Sequence, residues 1–420
     1  MHTHAKNTLK QNIMDSLLTL IDIRSFDPGQ IKEPLFQSEL RTKIIHHLQK
    51  NTDPLDTTIM TEQIIDEVMT EALGLGPIDL LLKDPNVSEI MINGHKEIFV
   101  EHKGQIKYTN FSFISDQSLL SIITRIISPL GRRIDETSPM VDARLEDGSR
   151  INAIIPPVSL IGPVVTIRKF EKQNLSLQGL IEKGSITLSA AKMIDFCVRE
   201  KKNIMIAGGT GSGKTTLLNA FSQSITPNER IITIEDAAEL KLSQKHVISL
   251  ESRPKNIEDK GEISIRALLK NALRMRPDRI IIGECRSDEA LDMLQAMNTG
   301  HDGSMTTLHA NSPRDALSRL ETMIMMAGFE LPLKAIRDQI ASAIDIIVYV
   351  TRFPNGNRMV THITEVCRTE GDVILTQNIF EYDKNSKTLR FQQQQPNFFA
   401  ALPKELQQEG HNILFGNTSC

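Results

Sequence analysis

One segment near the middle of the chain, GGTGSGKT at residues 208–215, constrains the fold more than any other feature of the sequence. It fits the pattern GxxxxGK[ST], in which glycines let consecutive backbone N–H groups turn towards phosphate oxygens. An apolar run at residues 204–207 precedes it, and a helix-forming run follows it. This order of strand, loop and helix predicts an α/β domain that binds a nucleotide. The predicted nucleotide contacts are Gly208, Gly209, Thr210, Gly211, Ser212, Gly213, Lys214, Thr215 and Thr216.

Two residues of this loop have predicted roles of their own. Lys214 would neutralise the β and γ phosphates, and the hydroxyl of Thr215 would be a ligand of Mg²⁺. A chance match of a glycine-rich turn is the alternative, but the flanking strand and helix disfavour it.

Strands and helices alternate through the second half of the chain. The sequence predicts strands at residues 204–207, 230–234, 247–250, 280–282 and 305–308, and helices at residues 214–224, 265–275, 288–297 and 313–326. Such alternation is typical of a largely parallel sheet with flanking helices. From residue 360 the sequence predicts short strands that end in a frayed polar stretch at residues 391–395.

The first 172 residues have a different organisation. Apolar residues recur at helical spacing through residues 1–75, which predicts a helical extension. Hairpin signals, a helix at residues 115–127 and a strand at residues 164–167 predict a mixed α/β, PAS-like domain at residues 76–172. Residues 173–420 then form the nucleotide-binding domain.

Composition excludes several classes of protein. The chain has 48 basic and 52 acidic residues, a net charge of −4, which argues against a protein that coats nucleic acid. Its four cysteines form no CxxC pair, which fits a reducing compartment. The sequence shows neither a signal peptide at the N-terminus nor an apolar run of about 18 residues. Secreted and membrane-spanning classes are therefore disfavoured.

Glu284 follows the apolar run at residues 280–282, after Gly283. The C-terminal edge of a parallel sheet is where ligands bind. Glu284 is therefore predicted to hold Mg²⁺ through water or to orient the attacking water. The simpler alternative is a surface acid at the end of a strand.

A second apolar run, residues 231–234, ends in Glu235 and Asp236, with Glu239 a few residues further on. One of these acids is a plausible general base for the attacking water, and the pattern does not say which. An acidic helix start is the alternative, because helix N-termini favour Asp and Glu.

His301 and His309 flank the predicted strand at residues 305–308. A metal site is weakly supported, because neither histidine has Cys or acidic partners at zinc spacing. A hydrogen-bonding side chain on a strand beside the phosphate loop is a better candidate for a γ-phosphate sensor. A satisfied structural histidine is the alternative.

Taken in this order, the motifs resemble those of the secretion ATPase superfamily of type II and type IV secretion and type IV pilus systems. Besides the phosphate loop, the resemblance rests on residues 73–77, 133–145, 147–150 and 299–305, and it spans residues 73–382. These stretches are most similar to CpaF/TadA-type ATPases of tight-adherence (Flp) pilus assembly. The chain lacks the four-Cys module of many type II secretion ATPases, which favours the tight-adherence or type IV secretion branches.

The resemblance implies a homo-oligomer, a hexameric ring, with a RecA-like ATPase domain that follows the mixed α/β domain. It assigns the general base to Glu239, the Walker B position to Glu284 and the histidine box to His309. It also implies that arginines of the N-terminal domain reach the phosphates, although solvated strand residues are the alternative. The matching positions are Arg144, Arg150 and Arg168.

The residues and the resemblance together predict a Mg²⁺-dependent ATPase that converts ATP hydrolysis into domain motion. Its expected partners are inner-membrane platform proteins of a pilus or secretion system, with membrane contact only through them and no direct nucleic acid. The expected location is cytoplasmic, at the periphery of the inner membrane. Alternatives are a type IV secretion traffic ATPase, a nucleic-acid-stimulated RecA-like motor, which 4% aromatic residues support poorly, and a small-molecule kinase.

Overall fold

A computed structural model describes residues 10, 13–14, 34–51, 59–102, 104–145, 147–170, 175–253, 255, 260–328 and 330–416. The chain divides into two compact units, Met1–Glu171 and Lys172–Cys420. Within the described ranges, no helix combines the length and the apolar character needed to cross a membrane.

The first unit contains helices followed by an antiparallel sheet. Its helices are α1 (Pro34–Asn51), α2 (Ile59–Leu73), α3 (Pro77–Lys83) and α4 (Asp116–Ile127). Its strands are β1 (Val87–Asn93), β2 (Glu97–His102), β3 (Gln105–Tyr108), β4 (Met140–Arg144), β5 (Arg150–Ile154) and β6 (Val164–Arg168). The prediction of helices in residues 1–75 is confirmed for α1 and α2, and most of residues 1–33 lie outside the described ranges.

The sheet of the first unit has the strand order β3-β2-β1-β6-β5-β4, and every neighbouring pair is antiparallel. Helix α4 begins after Ser115, whose side chain accepts a hydrogen bond from the backbone N–H of Ser118. Its apolar residues, at helical spacing, are buried in one core with the inward side chains of the strands. The mixed α/β character predicted for this region is confirmed.

The second unit is an α/β domain. Its strands are β7 (Ile204–Gly208), β8 (Ile231–Glu235), β9 (Val247–Glu251), β10 (Arg279–Ile282), β11 (Met305–His309), β12 (Ile346–Arg352), β13 (Arg358–Glu370), β14 (Val373–Asp383) and β15 (Thr388–Phe391). Its helices are α5 (Leu177–Glu182), α6 (Leu188–Arg199), α7 (Lys214–Ser222), α8 (Ile265–Ala272), α9 (Glu289–Asn298), α10 (Pro313–Met326), α11 (Leu333–Ala343) and α12 (Lys404–Phe415).

The sheet of this unit has the order β15-β14-β13-β12-β7-β11-β10-β8-β9. The six strands from β12 to β9 are parallel, and β13, β14 and β15 extend the sheet in antiparallel pairs. Strands β7, β8 and β10 are fully buried, which explains their continuous apolar runs. The C-terminal ends of β7, β8, β10 and β11 meet at one edge, so the loops that follow them lie together. The predicted RecA-like α/β domain is confirmed.

The prediction for the end of the chain is wrong. Strands β13 and β14 have 13 and 11 residues and are not short. The chain does not fray after residue 395, because a 3-10 turn (Asn397–Ala401) and helix α12 follow. Phe399 is fully buried and packs edge-on against Phe196 of α6. The carboxylate of Glu365 accepts the backbone N–H groups of Asn397 and Phe398, each at 2.8 Å.

Candidate functional site: a phosphate loop and its acidic edge

The glycine-rich loop connects β7 to α7, as its sequence predicts. Gly211 and Gly213 have φ angles of +67° and +97°, which residues with a Cβ rarely adopt. A Cβ on Gly208 would lie 2.5 Å from the carbonyl oxygen of Val350 on β12, so only glycine fits there. A Cβ on Gly209 would meet nothing within 4 Å. The loop is therefore packed against β12 at Gly208 and open at Gly209.

Lys214, the first residue of α7, is buried beneath this loop. Its Nζ donates hydrogen bonds to the carbonyl oxygens of Gly208 (3.2 Å) and Gly209 (3.1 Å). The same Nζ lies 3.3 Å from Nδ1 of His309. These contacts point the charge of the lysine at the loop, where a phosphate group would replace some of them.

His309 ends β11, the strand beside β7, and stands in register with Gly208. Its Nε2 lies 2.7 Å from Oε1 of Glu284, just beyond the end of β10. Burial and the positive charge of Lys214 lower the pKa of His309, and the charge of Glu284 only partly opposes this. A neutral imidazole with its proton on Nε2 suits both neighbours, a carboxylate on one side and an ammonium on the other.

The acidic segment after β8 has a buried anchor. Glu235 is 3% exposed, and its carboxylate accepts the backbone N–H groups of Glu239 (2.9 Å) and Leu240 (3.1 Å). Asn219 of α7 accepts the backbone N–H of Lys241 at 2.8 Å. Glu235 therefore shapes the loop, whereas the side chain of Glu239 is only half-buried at the loop itself. The pattern of acids in the sequence did not separate these two roles.

His301 lies far from His309. It precedes β11, and its Nδ1 is 3.2 Å from the carbonyl oxygen of Ala296 in α9. The two histidines occupy opposite ends of β11, so the sheet does not bring them together. His301 therefore fits the structural alternative.

A buried ion pair lies at the edge of the sheet where the parallel strands begin, opposite the phosphate loop. It was not predicted from the sequence. Arg279 is 0% exposed, and its guanidinium donates to both oxygens of Glu229, at 2.6 and 3.0 Å. Burial opposes ionisation of Glu229, but hydrogen bonds from Arg279 and Thr226 outweigh it and lower the pKa of Glu229. An arginine at the start of an apolar strand was the available signal.

Three arginines named from the resemblance lie in one row of the first unit. Arg144 on β4 stands opposite Arg150 on β5, and Arg150 stands opposite Arg168 on β6. Directly paired residues of antiparallel strands share one face of the sheet. The strand register therefore forms a line of positive charge from residues far apart in the sequence.

Three further arginines of the second unit lie at the phosphate loop or its acidic edge, and sequence reasoning did not identify them. Arg358 donates from Nε to the carbonyl oxygen of Gly211 at 2.9 Å, and Arg352 pairs with Arg358 across β12 and β13. Arg286 donates to Glu284 and to Asp236. The position of Arg286, two residues after Glu284, was the one local signal.

The residues at this edge fit a nucleoside triphosphate with Mg²⁺. The open side of Gly209, the N-terminus of α7 and the buried Lys214 form an anion cradle. Thr215 lies in the first turn of α7, and Glu284 supplies a carboxylate beyond β10. Hydroxyl and carboxylate oxygens are the protein ligands that Mg²⁺ prefers at phosphate sites.

Comparisons with known proteins give the family of this chain. The model of the family "Type II/IV secretion system protein" matches residues 71–397. A putative conjugal transfer protein of Mycobacterium tuberculosis is 33% identical over 73% of this chain and 88% of its own length. The type IV secretion system protein VirB11 of Bartonella henselae is 33% identical over 72% of this chain and 94% of its own. The crystal structure of the VirB11 ATPase of Brucella suis is 28% identical over 70% of this chain and 97% of its own, with a TM-score of 0.37. The predicted superfamily is confirmed: the chain belongs to the type II/IV secretion system protein family.

Proposed function

We propose that this protein is a Mg²⁺-dependent ATPase whose hydrolysis cycle powers a pilus or secretion system. The observation that carries the proposal is the line of contacts from Lys214 through His309 to Glu284. It joins the phosphate loop, the histidine box and the Walker B acid at one edge of the sheet. Family membership supports the same conclusion.

Each residue of this edge has a proposed role. Lys214 neutralises the β and γ phosphates, and Thr215 and Glu284 would hold Mg²⁺, Glu284 through water. Bound Mg²⁺ would neutralise the phosphate oxygens. Glu239 accepts the proton of the attacking water, because Glu235 is occupied with the backbone of the loop. His309 senses the γ-phosphate through its contacts with Lys214 and Glu284.

The arginine row supplies positive charge to the phosphates in the hydrolysing assembly. Phosphoryl transfer spreads negative charge over the equatorial oxygens, and an arginine there accelerates it strongly. We assign this role to Arg150 and Arg168, with Arg144 beside them in the row. We propose that the active form is a hexameric ring whose conformational cycle is driven by ATP binding and hydrolysis.

The proposed cellular role is assembly of a tight-adherence (Flp) type pilus. The protein would act in the cytoplasm, on inner-membrane platform proteins that give it its membrane contact. The motifs at residues 133–145 and 299–305 support this branch. A specific observation favours a second candidate, a type IV secretion traffic ATPase. Relatives that this chain matches over 86–94% of their own length are named as conjugal transfer and VirB11 proteins.

The test of the core proposal is ATP turnover by the full chain with Mg²⁺, compared with Lys214→Ala and with excess chelator. Lys214→Ala should abolish hydrolysis while the fold remains, because Lys214 supplies charge and little packing. Near wild-type turnover by that variant would refute the assignment. Co-purification with pilus platform proteins or with conjugation proteins would separate the two cellular roles, and the mass of the assembly with nucleotide would test the ring.

A further inference from the structure

Arg286 bridges two acidic motifs that follow different strands. Its Nε donates to Oε2 of Glu284 at 2.6 Å, and its NH1 group donates to Oδ2 of Asp236 at 2.8 Å. Glu284 follows β10, and Asp236 follows β8, the neighbouring strand. One guanidinium therefore joins the Walker B carboxylate to the first residue after β8.

The carboxylate of Glu284 has a basic neighbour on each side, and the hydrogen bond to it comes from Arg286. Its Oε1 lies 2.7 Å from His309 and its Oε2 lies 2.6 Å from Arg286, while the side chain is 16% exposed. A carboxylate with little water around it depends on such partners for its orientation. Arg286 itself is 52% exposed, so packing does not fix it, and the two charged hydrogen bonds do.

Asp236 is the first residue of the loop that carries Glu239, and it is hydrogen-bonded to Ser252, the residue that follows β9. Its Oδ1 accepts a hydrogen bond from the hydroxyl of Ser252 at 3.1 Å. Glu239 is a further negative neighbour of Arg286. Three carboxylates thus surround one guanidinium, and without it they would repel one another across the edge of the sheet.

We propose that Arg286 is a positioning residue that holds Glu284 and the Asp236–Glu239 loop in one arrangement for hydrolysis. The inference rests on the proposed ATPase function and adds a residue that neither the phosphate-loop pattern nor the arginine row includes. Arg286 acts through Glu284 and Asp236, and nucleotide affinity does not depend on it. Movement of Glu284 during the cycle is passed to the loop with Glu239 through this bridge.

The experiment compares Arg286→Ala, Arg286→Lys, Asp236→Asn and the double variant Arg286→Ala/Asp236→Asn in the full chain. Steady-state kinetics give kcat and KM for ATP, a fluorescent ATP analogue gives Kd, and thermal unfolding reports folding. Arg368→Ala is the matched control, an exposed arginine on β13.

Arg286→Ala should lower kcat about tenfold, the size expected from loss of charged hydrogen bonds, with KM and Kd within about twofold of wild type. Arg286→Lys should restore part of kcat, because lysine keeps the charge but not the fork. Asp236→Asn should lower kcat less, and the double variant should be no slower than Arg286→Ala, because both changes remove one bridge. Arg368→Ala should match wild type.

If Arg286→Ala has the kcat of the wild-type protein, the inference about Arg286 is wrong. The proposed ATPase function would stand, because the wild-type protein would still hydrolyse ATP. The inference would also be wrong if the reductions in kcat of the two single variants multiplied in the double variant. A loss of ATP affinity as large as the loss of kcat would contradict it as well. If Arg286→Ala does not fold, the double-mutant cycle with Asp236→Asn is repeated with Arg286→Lys. The same results would then support or refute the inference. Absence of ATP turnover in wild type would refute the proposed function and this inference with it.

Discussion

Nε2 of His309 lies 2.7 Å from Oε1 of Glu284, and these residues end or follow adjacent parallel strands. Nδ1 of the same ring lies 3.3 Å from Nζ of Lys214. The histidine therefore links the lysine of the phosphate loop to the carboxylate that follows β10. Because its pKa is lowered by burial and by Lys214, the imidazole is neutral near pH 7 and serves as a polar link.

Replacement of this histidine should affect turnover more than binding. His309→Ala should lower kcat about tenfold or more, because Glu284 loses one of its two partners, while Kd for an ATP analogue changes little. His309→Gln should keep part of the activity, since an amide can donate to Glu284. Steady-state kinetics measures kcat, and titration with a fluorescent ATP analogue measures Kd. A large loss of affinity with unchanged kcat would contradict the sensor role.

Substitutions of the three glutamates at this edge of the sheet should have different effects on ATP binding, turnover and stability. Glu239→Gln should bind ATP but lower turnover by about 10²-fold or more, because it removes the proposed base. Glu284→Gln should also bind ATP and turn over slowly. Glu235→Gln should lower stability as well as activity, since its buried carboxylate holds two backbone N–H groups. If Glu239→Gln hydrolyses normally and folded Glu235→Gln does not, the base is Glu235.

The buried pair of Arg279 and Glu229 should control stability and its pH dependence. Glu229→Gln should cost about 3–5 kcal/mol in the free energy of unfolding, because it leaves a buried guanidinium without its counter-charge. Since the pKa of Glu229 is lowered on folding, its stabilising contribution is present above the unfolded pKa, about 4.3, and is lost as pH falls through the folded value. Urea unfolding at several pH values should show the gap between wild type and variant closing in acid. A pH-independent gap would refute this account.

The arginine row should be required for turnover and not for folding. Arg150→Ala and Arg168→Ala in the full chain should lower kcat by about 10³-fold if they stabilise the transition state. Arg144→Ala should have a smaller effect, because Arg144 also contacts the backbone of Gly148. Lys107→Ala, on the exposed strand β3, is the control. If a chain that begins near residue 175 hydrolyses ATP as fast as the full chain, the three arginines are ordinary surface residues of their strands.

Sequence patterns were sufficient wherever the information was local. Buried strands such as β7 and β10 have continuous apolar runs, and the glycine spacing predicts the phosphate loop whatever surrounds it. The tail was predicted wrongly because Phe399 and Leu414 become core residues only through packing on distant elements. Asn397 and Phe398 depend likewise on Glu365, 32 and 33 residues away.

By itself, the sequence determined that a phosphate loop follows a buried strand, that acids end two other strands and that arginines lie on predicted strands of the N-terminal region. Only the tertiary structure decided which of these meet. Lys214 and His309 are 95 residues apart, and Arg286 and Asp236 are 50 apart. Their contacts arise because β8, β10, β11 and β7 lie side by side with their C-terminal ends at one edge. Local propensity cannot give the order of strands in a sheet, since that order depends on long-range burial of their side chains.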